Sequence, residues 1–162
     1  MESDLKQLYF NIPPFTRYFL SSVFAVAFML TYMKLSFLFY LFLHYDSVFK
    51  QFQIWRLVTN FVVVGKFSFN FLFFIIFSYS VLGQLEKKYI ETKRYAEFIM
   101  IIFYNALFLH LIKIIALYCF GFEEGFTLCH ELLFALLYLD SKRDPEKLVS
   151  LYGLVLKSKI LN

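Results

Sequence analysis

Four ionisable side chains stand inside stretches that are otherwise apolar: His110 and Lys113 in one, His130 and Glu131 in another. A charge in hydrocarbon is costly to hold, so each such group raises a functional hypothesis. Two chemistries suit these residue types. A chain of them could pass protons or ions across a bilayer, and a histidine beside a nucleophile could hydrolyse a bond. His110 and Lys113 are three apart and share a helix face. Lys113, near the end of its stretch, can snorkel to the interface or pair with Glu123 or Glu124. Glu131 lies well inside its stretch, which turns it toward a bundle interior, a water-filled cavity or a partner protein. Four isolated groups fall short of a relay, so a polar packing or cavity role ranks above an ion pathway. Cys129 precedes His130, but neighbours on a helix point about 100° apart and make no ready nucleophile–base pair. Ser78 and Ser80 are in a run where serines hydrogen-bond within or between helices. Neither a metal-ligand spacing nor a phosphate-cradling glycine loop is present, so no catalytic, cofactor-binding or metal residue is expected.

The stretches that hold these groups dominate the chain. Phenylalanine supplies 24 of 162 residues and hydrophobic residues 60%. A soluble domain of this size has too little interior to hide so much apolar surface, and a bilayer is the solvent that accepts it. The length allows one domain, residues 1–162, without a separate soluble catalytic module. The net charge of +4 does not point to nucleic acid, because the basic residues sit at the ends of apolar runs. They read as topology signals and headgroup contacts. Two cysteines are too few for a disulfide framework. The polar first residues and Pro13-Pro14 argue against a cleaved signal peptide, leaving the first span as an uncleaved anchor.

A helix needs about 20 apolar residues to cross a bilayer core. Four crossings are expected, at about residues 18–35, 67–85, 98–118 and 126–139. Residues 36–61 form an apolar loop studded with Asp46, Lys50, Gln51, Gln53 and Arg56, a composition suited to the membrane interface. The tail, residues 141–162, carries a short apolar piece at 148–156 that reads as an interfacial helix or the stump of a further span. With the N-terminus, the segment 86–94 and the tail on one side, that side holds most of the lysines and arginines, and the positive-inside rule makes it cytosolic. The fourth run is short, about 21 Å as a helix against a core of about 30 Å, and a short span thins the lipid beside it or recruits partners.

Within the first loop, Trp55 and Arg56 suit a leaflet anchor. An indole favours the headgroup level, and arginine offers five donors to carbonyls or lipid phosphates. Thr59 and Asn60 can satisfy backbone groups at a helix start. A structural anchor is favoured over direct substrate contact.

Three stretches, Ile12-Pro13-Pro14-Phe15-Thr16-Arg17, then Phe52-Gln53-Ile54-Trp55-Arg56-Leu57-Val58-Thr59-Asn60-Phe61, then Tyr138-Leu139-Asp140-Ser141-Lys142-Arg143-Asp144-Pro145, follow in an order and at separations that resemble the Derlins. These are the rhomboid-like pseudoproteases of the endoplasmic reticulum. The resemblance implies an all-α, rhomboid-like membrane bundle without protease chemistry, here with four spans where the family has six. It implies a multi-pass protein of the endoplasmic reticulum membrane that helps retrotranslocate misfolded proteins, beside a membrane ubiquitin ligase and a cytosolic AAA+ ATPase, alone or as a homo- or hetero-oligomer. The serine that a rhomboid-type protease carries on its fourth span is not found in Gly125-Phe126-Thr127-Leu128-Cys129-His130-Glu131. Competing readings are an intramembrane hydrolase, a small transporter using Glu131, His110 and His130, and a truncated subunit that acts only by binding another chain of the family.

Overall fold

The computed structural model describes residues 6–7, 9–32, 40–121, 127–143, 148–151 and 154–157. Helix α1 (Pro14–Tyr32) begins on a proline, whose fixed φ and missing N–H suit the first helical position. Two short helices follow, α2 (Tyr45–Gln51) and α3 (Arg56–Thr59). The first ends where Phe52 turns into left-handed backbone at φ 54°. Helix α4 (Phe69–Glu91) opens on Ser68, whose hydroxyl accepts the Phe71 N–H at 3.2 Å, a side-chain N-cap. Helix α5 (Tyr95–Phe120) ends at Gly121, left-handed at φ 64°. A glycine takes that conformation without steric penalty, so the helix stops there. Helix α6 (Cys129–Arg143) is the last.

Helix α4 is the hub. Its inner faces carry Phe71, Phe74, Phe77, Val81, Leu82 and Leu85, all buried against Val23 and Ala27 of α1, Phe98 of α5 and Leu132, Leu133, Leu136 and Leu137 of α6. Half of its apolar window is enclosed by the rest of the chain, against 11% for α5. Helix α5 is apolar on nearly every side and leaves Phe103, Tyr104, Phe108 and Ile115 exposed. An apolar outer surface of this kind suits hydrocarbon, where packing and hydrogen bonds hold helices together and no hydrophobic force drives them.

Among the described residues three helices, α1, α4 and α5, are long and apolar enough to cross a membrane, where four crossings are expected; α6 is shorter than these three. The membrane part is helical as expected, with shifted boundaries. The expected 67–85 span continues to Glu91, because Glu86 and Tyr89 are buried within the bundle and do not mark its edge. The 98–118 span begins at Tyr95. The expected 126–139 segment starts at Cys129 and runs to Arg143, carrying Asp140 and Ser141 into the interior. Its 15 residues extend about 22 Å, shorter than the other three. In the first loop, the described part, from residue 40 onward, is folded into α2 and α3 and does not run as an open strap.

The described residues of the tail's apolar piece form strands, where an interfacial helix or the stump of a further span is expected. Strands β1 (Leu148–Leu151) and β2 (Leu154–Lys157) pair antiparallel, with Leu151 opposite Leu154. Two leucine- and valine-rich runs parted by two residues carry a hairpin signal, and so short a helix would barely nucleate unaided.

The ends sort into two sets. The start of α1 touches Glu86 near the end of α4, Tyr95 at the start of α5 reaches the same carboxylate, and Asp140 near the end of α6 pairs with Lys88. The N-terminal side and the end of α6 therefore share one end of the bundle with the α4–α5 turn. At the opposite end Thr31 accepts the Phe67 N–H at 3.1 Å, and the α2–α3 loop packs there.

Candidate functional site

Arg56 and Trp55, adjacent in sequence, part company in space. Arg56 is only 5% exposed, whereas Trp55 is 51% exposed. The buried guanidinium donates from Nε to Gln53 Oε1 at 2.5 Å and from one terminal nitrogen to the Phe42 carbonyl at 2.7 Å, and lies 5.7 Å from the centre of the Tyr40 ring. A charge can be held inside only if its donors are used, and here they bind residues 42, 53 and 56 into one unit. Thr59 Oγ1 donates to the Leu41 carbonyl at 3.2 Å. The Asn60 amide donates to the carbonyls of Arg56 and Leu57 at 2.6 and 2.9 Å. Thr59 and Asn60 therefore satisfy carbonyls across the loop and at the end of α3, not the N–H groups of a helix start. The expected anchor role splits in two: Arg56 locks the loop internally, while Trp55 joins Phe49, Phe52, Ile54 and Val58 in an exposed apolar edge.

The loop is tied to α5 through His110. Its Nε2 lies 3.0 Å from the Leu57 carbonyl, which only accepts, so Nε2 carries the proton. Nδ1 then accepts from the Tyr45 hydroxyl at 3.2 Å in the neutral ring. The rings of Tyr45 and Phe61 stand edge-on to the imidazole. Burial pushes the Tyr45 phenol up to about 12, which keeps it a donor throughout the neutral range.

Lys113 and His110 do share a side of α5, with different neighbours. Lys113 Nζ stands 3.6 Å from Glu131 Oε1 of α6. Glu131 thus meets a cation in its own chain, and its side chain is 40% exposed, so it lines the edge of the α5–α6 contact. Glu123 and Glu124, the expected partners of Lys113, lie outside the described residues. His130 is exposed, with its ring centre 4.8 Å from that of Phe74. The four intramembrane polar groups are thereby divided among the loop, an ion pair and an aromatic contact. The serines of α4 turn inward on their own helix: Ser78 Oγ donates to the Phe74 carbonyl at 2.7 Å, and Ser80 accepts from Gln84 at 3.2 Å.

A buried carboxylate with four hydrogen-bond donors is one the sequence hid inside a run of charges. Glu86 is fully buried. Its Oε1 accepts the Phe15 N–H at 2.7 Å and the Tyr95 hydroxyl at 3.3 Å; its Oε2 accepts the Thr16 N–H at 2.7 Å and the Thr16 hydroxyl at 2.8 Å. It caps α1 from a distance, at the positive end of that helix's dipole. A signal was available. Pro13 has no side-chain acceptor, so the free N–H groups behind Pro14 had to find one elsewhere. Close by, Asp140 pairs with Lys88 at 3.6 Å and the Arg143 guanidinium lies 5.8 Å from the Tyr89 ring centre. The first and third of the quoted stretches thus dock on the same end of α4.

Comparison with known proteins returns the family that the three sequence stretches resemble. The model of the Der1-like family matches residues 12–161. Derlin-1 of Oryza sativa subsp. japonica is 41% identical over 118 residues, covering 72% of this chain and 46% of the relative. Derlin-1 of Arabidopsis thaliana is 40% identical over 112 residues, covering 68% and 39% respectively. Derlin-1.1 of Zea mays is 32% identical over 155 residues, covering 94% and 60%. The chain thus spans about half the length of these relatives. No solved structure matches it.

Proposed function

Because the chain belongs to the Der1-like family, we propose that it is a non-enzymatic component of endoplasmic-reticulum-associated degradation that aids retrotranslocation of misfolded proteins. The family match along nearly the whole chain carries this reading. The protein resides in the endoplasmic reticulum membrane, crosses it four times and keeps both termini in the cytosol. Its partners are misfolded clients, a membrane ubiquitin ligase complex and a cytosolic AAA+ ATPase. The site is the α2–α3 loop, with Gln53, Trp55, Arg56, Thr59 and Asn60 as its anchor. Arg56, Thr59 and Asn60 hold its shape, and the Trp55 edge sits in one leaflet at headgroup level.

The mechanism is local thinning of the bilayer. Helix α6, at 15 residues, is shorter than α1, α4 and α5, and in this reading it is the fourth crossing, beside which lipid must compress or the polar groups at its ends are dragged into hydrocarbon. A thinner, wetter patch lowers the cost of moving a polar polypeptide through. Among the described residues, the commitment of His110 to Leu57 and Tyr45 and of Ser78 to its own helix supports a role without peptide-bond cleavage. Cryo-electron microscopy of the protein in nanodiscs tests the thinning. The headgroup layers should approach each other beside α6 relative to lipid far from the protein; flat, parallel layers would rule thinning out while leaving family membership untouched.

A further inference from the structure

We propose that Arg17, with the turn that leads into α1, binds the phosphate of an anionic phospholipid at the bundle end that holds the α4–α5 turn. The Arg17 guanidinium is ringed by aromatic side chains, its carbon lying 5.5 Å from the Tyr9 ring centre, 5.0 Å from that of Phe10 and 5.4 Å from that of Tyr18. Rings attract the cation and fix its place, but they bring no oxygen to its five N–H donors. Arg56 spends its donors on Gln53 and Phe42, and Arg94 pairs with Glu97. Among the described residues the Arg17 side chain has neither a carboxylate nor a carbonyl. The lead-in to α1 doubles back to build this cage. The Asn11 N–H donates to the Gln7 carbonyl at 2.9 Å and the Ile12 N–H to the Tyr9 carbonyl at 3.3 Å. The Tyr9 hydroxyl then lies 3.0 Å from the Oγ of Ser21, a residue about 10 Å along α1. Every part of the site falls between residues 7 and 21, so α1 and its own lead-in assemble it.

Depth and charge select the occupant. The 19 residues of α1 extend about 28 Å, close to the hydrocarbon thickness of about 30 Å, so the helix starts at the border where lipid phosphates begin. Arg17 stands about 5 Å inside that start, within reach of the phosphate level for a side chain of its length. A guanidinium meets a phosphate through two parallel hydrogen bonds. Tyr9 and Phe10, 43% and 67% exposed, lie beside it and offer an apolar bed to the first methylenes of the same lipid. A zwitterionic headgroup carries its own cation next to the phosphate, which competes with Arg17. An anionic headgroup has no such competitor, so it is the better fit. Neither client clearance nor the direction of insertion enters this inference.

Phe10→Trp in a Trp55→Phe background places a single indole at the site, because Trp55 is the sole tryptophan. This protein is reconstituted in phosphatidylcholine liposomes that contain a minor share of either brominated phosphatidylinositol or brominated phosphatidylcholine. Quenching should show the anionic lipid enriched about three- to fivefold beside the indole, the preference that one basic residue confers near a charged surface. Adding Arg17→Gln should bring the two lipids level, with quenching by brominated phosphatidylcholine unchanged and the helical circular dichroism intact. Arg17→Lys should keep a reduced preference, since it retains the charge and loses the fork. Water-soluble glycerophosphoinositol should leave the preference in place. Equal quenching by the two lipids, a preference that survives Arg17→Gln, or displacement by the soluble headgroup would overturn the proposal.

Discussion

At the residue scale, the fold leans on side chains whose bonding is out of proportion to their visibility in sequence. Glu86 satisfies two backbone donors and two hydroxyls. Glu86→Ala should destabilise the folded protein by about 2–4 kcal/mol, since several buried donors lose an acceptor at once. Glu91→Ala, exposed one turn further on, should cost nothing measurable. Unfolding in mixed micelles with increasing denaturing detergent measures both. In sequence, Glu86 is the first member of a charge run and reads as a solvated span end. Only the partnerless N–H groups behind Pro14 hint otherwise. Arg56 was legible as a donor to carbonyls, but burial separates it from Trp55, and burial belongs to tertiary structure. Tyr45 gives the loop an alkaline pH dependence. Its pKa in the folded state stands above the ordinary 10.0, at about 12, so its contribution is complete below pH 10 and is lost as pH rises through 12. Tyr45→Phe should abolish that alkaline dependence, read by tryptophan fluorescence of Trp55, the sole tryptophan.

At the scale of elements, the apolar runs announced the spanning helices, because about 20 apolar residues have one use in a membrane protein. Their ends were less legible. Buried Glu86, Asp140 and Ser141 extend α4 and α6 past the points where charge seems to close them. The tail strands were missed because a short run of leucine and valine fits either periodicity. The Lys113–Glu131 pair joins α5 to α6 by a contact that sequence spacing does not reveal, since its members come from different helices. Removing one charge leaves the other exposed to a low-dielectric setting, so Lys113→Ala or Glu131→Ala should each destabilise the α5–α6 contact. The double variant should then cost less than the two single changes summed, with a coupling of about 0.5–2 kcal/mol. Strict additivity in the same detergent titration would show that the two groups do not act as a pair.

At the scale of the whole molecule, the start of α1, the α4–α5 turn and the end of α6 lie together, and the α2–α3 loop lies at the far end. In a Cys119→Ser background, Gln51→Cys and Lys93→Cys should therefore label from opposite faces of sealed microsomes, with Lys93→Cys on the cytosolic face. The central claim is that a pre-shaped loop in one leaflet assists client passage. Clearance of a misfolded lumenal reporter tests it most directly, in cells depleted of their own family members and supplied with this chain. The wild type should restore clearance. Trp55→Ala should slow it several-fold with the protein still present in the membrane at normal level, because Trp55 is exposed and its loss leaves the Arg56 lock intact. Wild-type protein that restores nothing, or a Trp55→Ala protein that clears the reporter at the full rate, would contradict the account.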